Sequence, residues 1–312
     1  MGIAWERADY LEKHVEQIGI AGTGRMGTAI GGRLVAAGFE LTVWNRTPQR
    51  AAALAERGAR IVSTPRELAE RCDIVLTLLT DDRALEAVYG GPDGLLSAGV
   101  AGKLFIEMST VRSATVERLA AAAIQRGAGF VDAPVSGSIA PARAGQLLAL
   151  VGGTDADVER ARPVLQAFSR RVAHVGPAGS GTTMKLVLNM PMAVYWQGLS
   201  EALAMGAQAG LELATMLELI ADSGAAIGAL KPKIPQMLGQ AGEVGFPITG
   251  VRKDLLAMVE TGQRYGVPMP AGSAALLGFM AATAAGRGDD DFAAYVQHFI
   301  DTVRASQSEG AG

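Results

Sequence analysis

Ile18-Gly19-Ile20-Ala21-Gly22-Thr23-Gly24-Arg25-Met26-Gly27 is the stretch that decides how this chain folds. The apolar run Ile18 to Ala21 reads as a buried strand. After Gly27 the apolar positions Ile30, Leu34 and Val35, spaced by small residues, read as a helix lying on a sheet. Gly22, Gly24 and Gly27 therefore fall at a strand-to-helix turn in GxGxxG spacing. Missing side chains there allow a tight turn and close approach of backbone to phosphate, while the helix N-terminus offers N–H groups and a positive dipole end. In that context the glycines predict a dinucleotide pyrophosphate.

The next strand, Glu40 to Trp44, ends at Asn45, where NAD-binding proteins usually place an acid to take the ribose hydroxyls. A carboxylate would repel a 2′-phosphate. An amide followed by Arg46 and Thr47 instead offers a neutral acceptor, a guanidinium and a hydroxyl. Asn45, Arg46 and Thr47 thus point to NADP(H).

Composition bounds the remaining classes. The 312 residues, 49% of them apolar, can fill two cores. A net charge of −3 provides no basic field for nucleic acid or anionic lipid. A lone cysteine, Cys72, excludes an internal disulfide framework and fits a reducing, cytoplasmic setting; it reads as a small residue under the sheet. No apolar run reaches the roughly 18 residues of a membrane span. Residues 1–13 are mixed in charge, lack the apolar stretch of a secretory signal, carry too many acids for a transit peptide, and read as a short N-terminal extension.

Strand and helix patterns then alternate to about residue 178. Helices are expected over 49–57, from Thr64-Pro65 and over 113–126, with strands at 60–62, 73–79, 103–107, 130–132, 147–151 and 171–175. The run Asp73 to Leu79 is too apolar for a half-exposed strand and belongs inside the sheet. This alternation predicts an α/β, Rossmann-type doubly wound domain over 14–178, with ligands at the carboxyl ends of its strands. Gly176-Pro177-Ala178-Gly179-Ser180-Gly181 punctuates the chain. Beyond it a long helix over 182–209 opens an all-α domain, 179–312, rich in Ala, Gly, Met and Leu. That composition suits close helix packing within the domain and against a second copy.

Five ordered motifs carry a resemblance over nearly the whole chain: Arg25-Met26 in the glycine loop, Trp44-Asn45-Arg46-Thr47-Pro48, Asp132-Ala133-Pro134-Val135-Ser136-Gly137-Ser138, the pair Lys185 and Asn189, and Lys253-Asp254-Leu255. The chain resembles the β-hydroxyacid dehydrogenases, which include 3-hydroxyisobutyrate dehydrogenases and glyoxylate/succinic semialdehyde reductases. The resemblance implies an NADP(H)-dependent interconversion of a small hydroxy acid and its carboxylate-bearing aldehyde or semialdehyde. It also implies coenzyme contacts from Arg25 and Met26. Reducing an aldehyde leaves an alkoxide that needs a proton, and the reverse reaction needs a base. Lys185, just past the domain boundary, is the candidate for both, which asks for a pKa below the usual lysine value through partial burial or a neighbouring cation. Asn189 stands four residues on, on the same helix face, to hold substrate or Lys185.

Ser136 and Gly137, and with them Ser138, offer a hydroxyl and an exposed N–H to a substrate carboxylate. Leu79, Thr80 and Ser109-Thr110 end strands on the binding edge, and the resemblance puts Leu79, Thr80 and Thr110 beside the nicotinamide; Asp81 and Asp82 read as a helix cap. Lys253 and Asp254 resemble the family's later Lys-Asp motif, which implies a place for Lys253 on the coenzyme or substrate side and a positioning role toward substrate for Asp254. Pro191 inside the long helix predicts a kink. Ser-Gly-Ser at 136–138 and Phe246-Pro247 lean toward the semialdehyde branch, whereas Leu230 departs from its aromatic residue, and Met190 replaces a second Asn of many relatives. Lys231 and Lys233 read as surface solvation, with reach to a second carboxylate as the sharper alternative. The three histidines, His14, His174 and His298, lie outside every motif, so neither a His-based dehydrogenase nor a His-rich metal site is expected. The alternatives are an NADPH-dependent imine reductase of the same architecture and a catalytically silent NADP-binding protein.

Overall fold

The computed structural model describes residues 16–310. The expected N-terminal extension, 1–13, and His14 lie outside them. Strands run over Ile18–Ala21 (β1), Leu41–Trp44 (β2), Arg60–Ile61 (β3), Ile74–Thr77 (β4), Leu104–Glu107 (β5), Gly129–Asp132 (β6), Val135–Ser136 (β7), Leu147–Gly152 (β8) and Ser169–Gly176 (β9). Helices between them are Arg25–Ala36 (α1), Ala52–Ala55 (α2), Pro65–Arg71 (α3), Asp82–Gly90 (α4), Ser113–Ile124 (α5), Ile139–Arg143 (α6) and Asp155–Gln166 (α7). Then follow Ser180–Gln208 (α8), Leu213–Asp222 (α9), Ile234–Met237 (α10), Ile248–Arg264 (α11), Pro270–Ala282 (α12) and Ala294–Gly310 (α13). The described residues form two compact units: one runs to Ser109 and resumes over Thr115–Thr182, and the other takes Thr110–Ala114 and the described residues from Thr183.

In the first unit the sheet order is β3-β2-β1-β4-β5-β6, all parallel; β8 joins β6 and β7 antiparallel, and β9 pairs β8 in parallel. This is the doubly wound order, reversing direction between β1 and β4, where a crevice opens for a ligand. Strands β1, β4 and β5 are buried at every position, as expected for a sheet covered on both faces. Ile18, Ile20, Ile74, Leu76, Leu104 and Ile106 join Ile30 and Leu34 of α1 in one core. Gly19 lies against Leu68 and Cys72 instead; Cys72 is fully buried, and burial pushes its thiol up to about 11.

Local chemistry sets the helix starts. Thr64, Asp81 and Thr154 each accept an N–H three residues ahead, from Glu67, Ala84 and Asp157. The helix expected over 49–57 is shorter: Pro48–Ala51 forms a 3₁₀ turn before the four residues of α2. The pyrrolidine fixes φ at that first turn, which suits such a tight start. The two-residue strand β7 forms because Val135 and Ser136 pair with Ala149 and Leu148.

The long helix α8 has 29 residues and continues through Pro191. Its beginning is held by a buried carboxylate at the end of β6: Asp132 accepts the N–H of Gly179 at 2.7 Å and of Thr182 at 2.6 Å. Gly152 and Gly181 permit this closeness, since a Cβ on Gly181 would lie 2.3 Å from the Leu150 carbonyl. Burial lifts the Asp132 carboxyl above its usual pKa, against the pull of those N–H groups.

The second unit is helical. Trp196, Leu203, Leu217, Leu255, Phe279 and Tyr295 belong to its own core, with the rings of Phe279 and Tyr295 stacked at 4.3 Å. No helix among the described residues is long and apolar enough to cross a membrane.

Asp132→Ala leaves two buried N–H groups without an acceptor, a loss of about 3 kcal/mol. Thermal melts followed by circular dichroism are expected to show a clearly lower midpoint, with Asp132→Asn intermediate; an unchanged midpoint in both variants contradicts the anchoring role.

Candidate active site

The glycine loop is built by backbone packing. Gly22 has φ +104°, open to glycine alone without strain, and a Cβ there would meet the Leu78 carbonyl at 2.1 Å. A Cβ on Gly27 would lie 2.0 Å from the Gly22 carbonyl, so α1 sits directly on the end of β1. Gly24 differs: the space where its Cβ would project is open. It precedes α1, which starts with no side-chain cap and no acid in its first turn. Thr23 Oγ1 is buried and has no hydrogen-bond partner among the described residues. An uncapped helix start, an open backbone position and an orphaned hydroxyl fit a pyrophosphate.

Asn45 joins this loop to the next. Its Oδ1 accepts the Thr23 N–H at 3.0 Å and its Nδ2 donates to the Thr47 carbonyl at 2.9 Å. The Asn45 amide is therefore engaged within the fold, whereas Arg46 and Thr47 are exposed.

Leu78, Leu79 and Thr80 follow β4 against the glycine loop: the Leu78 N–H donates to the Ala21 carbonyl at 2.9 Å, and Leu79 Cδ2 lies 3.1 Å from where a Gly22 Cβ would be. The Leu79 N–H donates to Ser109 Oγ at 2.8 Å. Thr80 is exposed beside Asp81, which caps α4 as expected. Sequence reasoning missed Glu107, a fully buried carboxyl at the end of β5. It accepts the Ser109 N–H at 2.6 Å and the Thr77 hydroxyl, and burial raises its pKa to about 7. An acid closing an apolar strand was the only signal the sequence carried.

Ser136 lies in β7 and Gly137 follows with φ +130°. Ser138 immediately precedes α6 and makes no side-chain bond to its backbone. All three belong to the first unit.

The second unit gathers Lys185, Asn189, Lys253, Asp254 and Thr110. Asp254 is buried, accepts from Asn189 Nδ2 at 3.4 Å and pairs with Lys253 Nζ at 2.7 Å. Lys253 Nζ also donates to the Thr110 carbonyl, because Thr110–Ala114 packs with this unit. Burial lowers the Lys185 pKa; Lys253 lowers it further and Asp254 opposes both. Asn189 and Asp254 edge a cavity of about 40 Å³ whose other walls include Met192, Trp196, Phe246 and Phe292. Lys231 is exposed and pairs with Asp222. Lys233 corrects the reading as surface solvation: it is half-buried and pairs at 2.8 Å with the buried Asp291, under the Phe292 ring. Among the described residues no cluster of three or more His, Cys, Asp or Glu could hold a metal ion.

Residues 17–176 match the family model described as the NAD binding domain of 6-phosphogluconate dehydrogenase. Residues 179–299 match the one described as NAD-binding of NADP-dependent 3-hydroxyisobutyrate dehydrogenase. Glyoxylate/succinic semialdehyde reductase 1 of Arabidopsis thaliana is 34% identical over 90% of this chain and 97% of its own length. 3-Hydroxyisobutyrate dehydrogenase of Pseudomonas aeruginosa is 35% identical over 83% and 89%. The solved structure of the Mycobacterium tuberculosis 3-hydroxyisobutyrate dehydrogenase with L-serine has a TM-score of 0.79 and 28% identity, over 91% of this chain and 99% of that one. Through both of its units, then, the chain belongs to the β-hydroxyacid dehydrogenase family and is an oxidoreductase that binds a nicotinamide dinucleotide.

Proposed function

We propose that the protein interconverts a small hydroxy acid and its carboxylate-bearing aldehyde with NADP(H), using Lys185 as the proton donor and acceptor. The observation that carries this reading is the state of Lys185. Burial and Lys253 both disfavour its charged form, while Asp254 keeps that form accessible, so the amine can give up and regain a proton.

A nicotinamide coenzyme, when held at the glycine loop, would supply or accept the hydride. In reduction Lys185 Nζ, as an ammonium, polarises the carbonyl and delivers a proton to its oxygen; in oxidation the neutral amine takes the hydroxyl proton. Asn189, one turn further along α8, orients the substrate, and Asp254 holds the Asn189 amide in place. Ser136, Gly137 and Ser138 bind the substrate carboxylate through hydroxyls and backbone N–H. Gly22, Gly24, Arg25, Met26 and Gly27 hold the pyrophosphate, and Leu79, Thr80, Thr110 and Lys253 the nicotinamide half.

The preference for NADP(H) rests on Arg46 and Thr47, exposed beyond β2 with no acid at position 45. Asn45 acts by holding that loop. We further infer a homodimer or larger assembly: Met205, Leu219 and Leu277 of the helical unit are each more than half exposed, apolar surface that a second copy would cover. The single reduced cysteine suits a reducing, cytoplasmic setting.

A spectrophotometric panel of glyoxylate, succinic semialdehyde, methylmalonate semialdehyde, tartronate semialdehyde and cyclic imines, each with NADPH and NADH, tests the reading. Turnover of an aldehyde acid is expected. Turnover of imines alone would favour an imine reductase, and none at all a silent coenzyme-binding protein. Lys185→Ala is expected to bind NADPH normally and to lose at least about a hundredfold in kcat; a near-normal rate removes Lys185 from the chemistry. Because reduction needs the ammonium, its rate is expected to fall with rising pH at a pH below that of an ordinary lysine, while oxidation rises over the same interval. Pre-steady-state rates in both directions read this opposition, and profiles that move together contradict it. Arg46→Ala is expected to weaken NADPH about tenfold or more while sparing NADH. Equal losses for both, measured by fluorescence titration, would exclude the 2′-phosphate contact.

A further inference from the structure

We propose that Glu107 is a coenzyme-positioning residue, acting through Ser109 to fix the backbone of Leu79 against the glycine loop. The proposal rests on the coenzyme reading of that loop and adds to it a residue with no contact to the ligand.

The chain of contacts is continuous. Register places Thr77, Glu107 and Asp132 side by side at the carboxyl ends of β4, β5 and β6. Glu107 is fully buried there. Its Oε1 accepts the Ser109 N–H at 2.6 Å, and its Oε2 accepts the Thr77 hydroxyl. The Thr77 proton is thereby committed, so the Tyr89 hydroxyl, 3.1 Å away, donates to Thr77 Oγ1. Ser109 Oγ in turn accepts the Leu79 N–H at 2.8 Å. Leu78 and Leu79 are the residues against which the glycine loop closes, because Gly22 has no room for a side chain beside the Leu78 carbonyl and Leu79 Cδ2. One carboxyl thus ties the segments after β4 and β5 to each other and to the loop after β1.

The Ser109 N–H can only donate to Glu107, and with Glu107 ionised the Thr77 hydroxyl donates to it as well, an arrangement that suits a carboxylate. The titratable groups facing it are Asp132 on β6 and Tyr89 on α4. Desolvation and the Asp132 charge oppose ionisation, the bonds from Ser109 and Thr77 favour it, and the balance brings the carboxyl to about 7. When Glu107 takes a proton it becomes a donor. The Thr77 hydroxyl can turn to accept it, and one hydroxyl proton, that of Thr77 or of Tyr89, then has no acceptor in the network. The Ser109 N–H cannot reverse, and it keeps only a bond to a neutral oxygen, weaker than the charge-assisted one. Leu79 is then held less firmly, so coenzyme affinity falls as pH drops through about 7 and recovers above it.

The test is fluorescence titration of the full-length protein with NADPH from about pH 6 to about pH 8.5, using wild type, Glu107→Gln and Ser109→Ala. The wild-type Kd is expected to rise severalfold toward the acid end. Each variant is expected to have a Kd about tenfold higher at the alkaline end and to lose most of that pH dependence. The 2′-phosphate titrates alike with all three proteins, so the difference in slope belongs to Glu107. Variants folded by circular dichroism that keep the wild-type Kd and slope would overturn the proposal. Should Glu107→Gln fail to fold, Ser109→Ala alone decides. A wild-type protein that binds neither NADPH nor NADH fails the coenzyme reading itself and takes this proposal with it, an outcome distinct from wild-type binding with unaltered variants.

Discussion

The Gly22 carbonyl occupies the place that a side chain on Gly27 would need, and this backbone-on-backbone contact is the constraint on which the first unit depends. It draws α1 onto the end of β1, and with α1 come Ile30 and Leu34, which seal one face of the sheet. The same approach leaves the start of the helix without a side-chain cap. Close packing and anion binding are thus one solution: a helix start tight against a strand leaves its N–H groups for a ligand to satisfy.

Ionisable groups withdrawn from water are stabilised by different means in the two units. Asp132 is held by the N–H groups that open α8, a fixed arrangement of backbone. Glu107, beside it in the sheet, relies on the Thr77 hydroxyl and on the hydroxyl and N–H of Ser109, and burial still lifts its pKa to about 7. Lys185 has an acid and a second cation in its surroundings, whose effects oppose each other. Lys233 and Asp291 form a closed pair, with Asp291 also taking the N–H of Gly245 and Ala293, and read as structure rather than chemistry.

Periodicity and turn residues made much of the fold legible. The run Ile74 to Thr77 announced a strand covered on both faces, and Thr64-Pro65 and Asp81 announced helix starts. The alternation up to residue 178 announced a doubly wound sheet. What stayed hidden was set by contacts distant in sequence. The Lys233 partner lies 58 residues away, and nothing local at Lys233 distinguishes a buried pair from a solvated face. Thr110–Ala114 follows a strand and reads as part of the first unit, yet it packs with the second. β7 has only two residues and owes its existence to β8, so Pro134 to Ser138 carries the local signature of a turn. Glu107 is legible only once register sets it beside Thr77 and Asp132. The candidate catalytic residues, and Lys253 and Asp254 beside them, were accessible through ordered motifs; Glu107 and the Lys233–Asp291 pair were not.

Asn45 carries a consequence for how coenzyme choice can evolve on this scaffold. Its amide spans two loops, receiving from Thr23 and giving to Thr47, so both ends are already occupied. An aspartate there would keep the acceptor but set a negative oxygen against the Thr47 carbonyl, loosening the segment that it would be meant to equip for a ribose. A change to an acid at this position must therefore pass through a distorted loop, unless Thr47 and its neighbours change first. The asparagine acts as a ratchet: the position that most often sets dinucleotide choice in related folds is locked here by its own architecture.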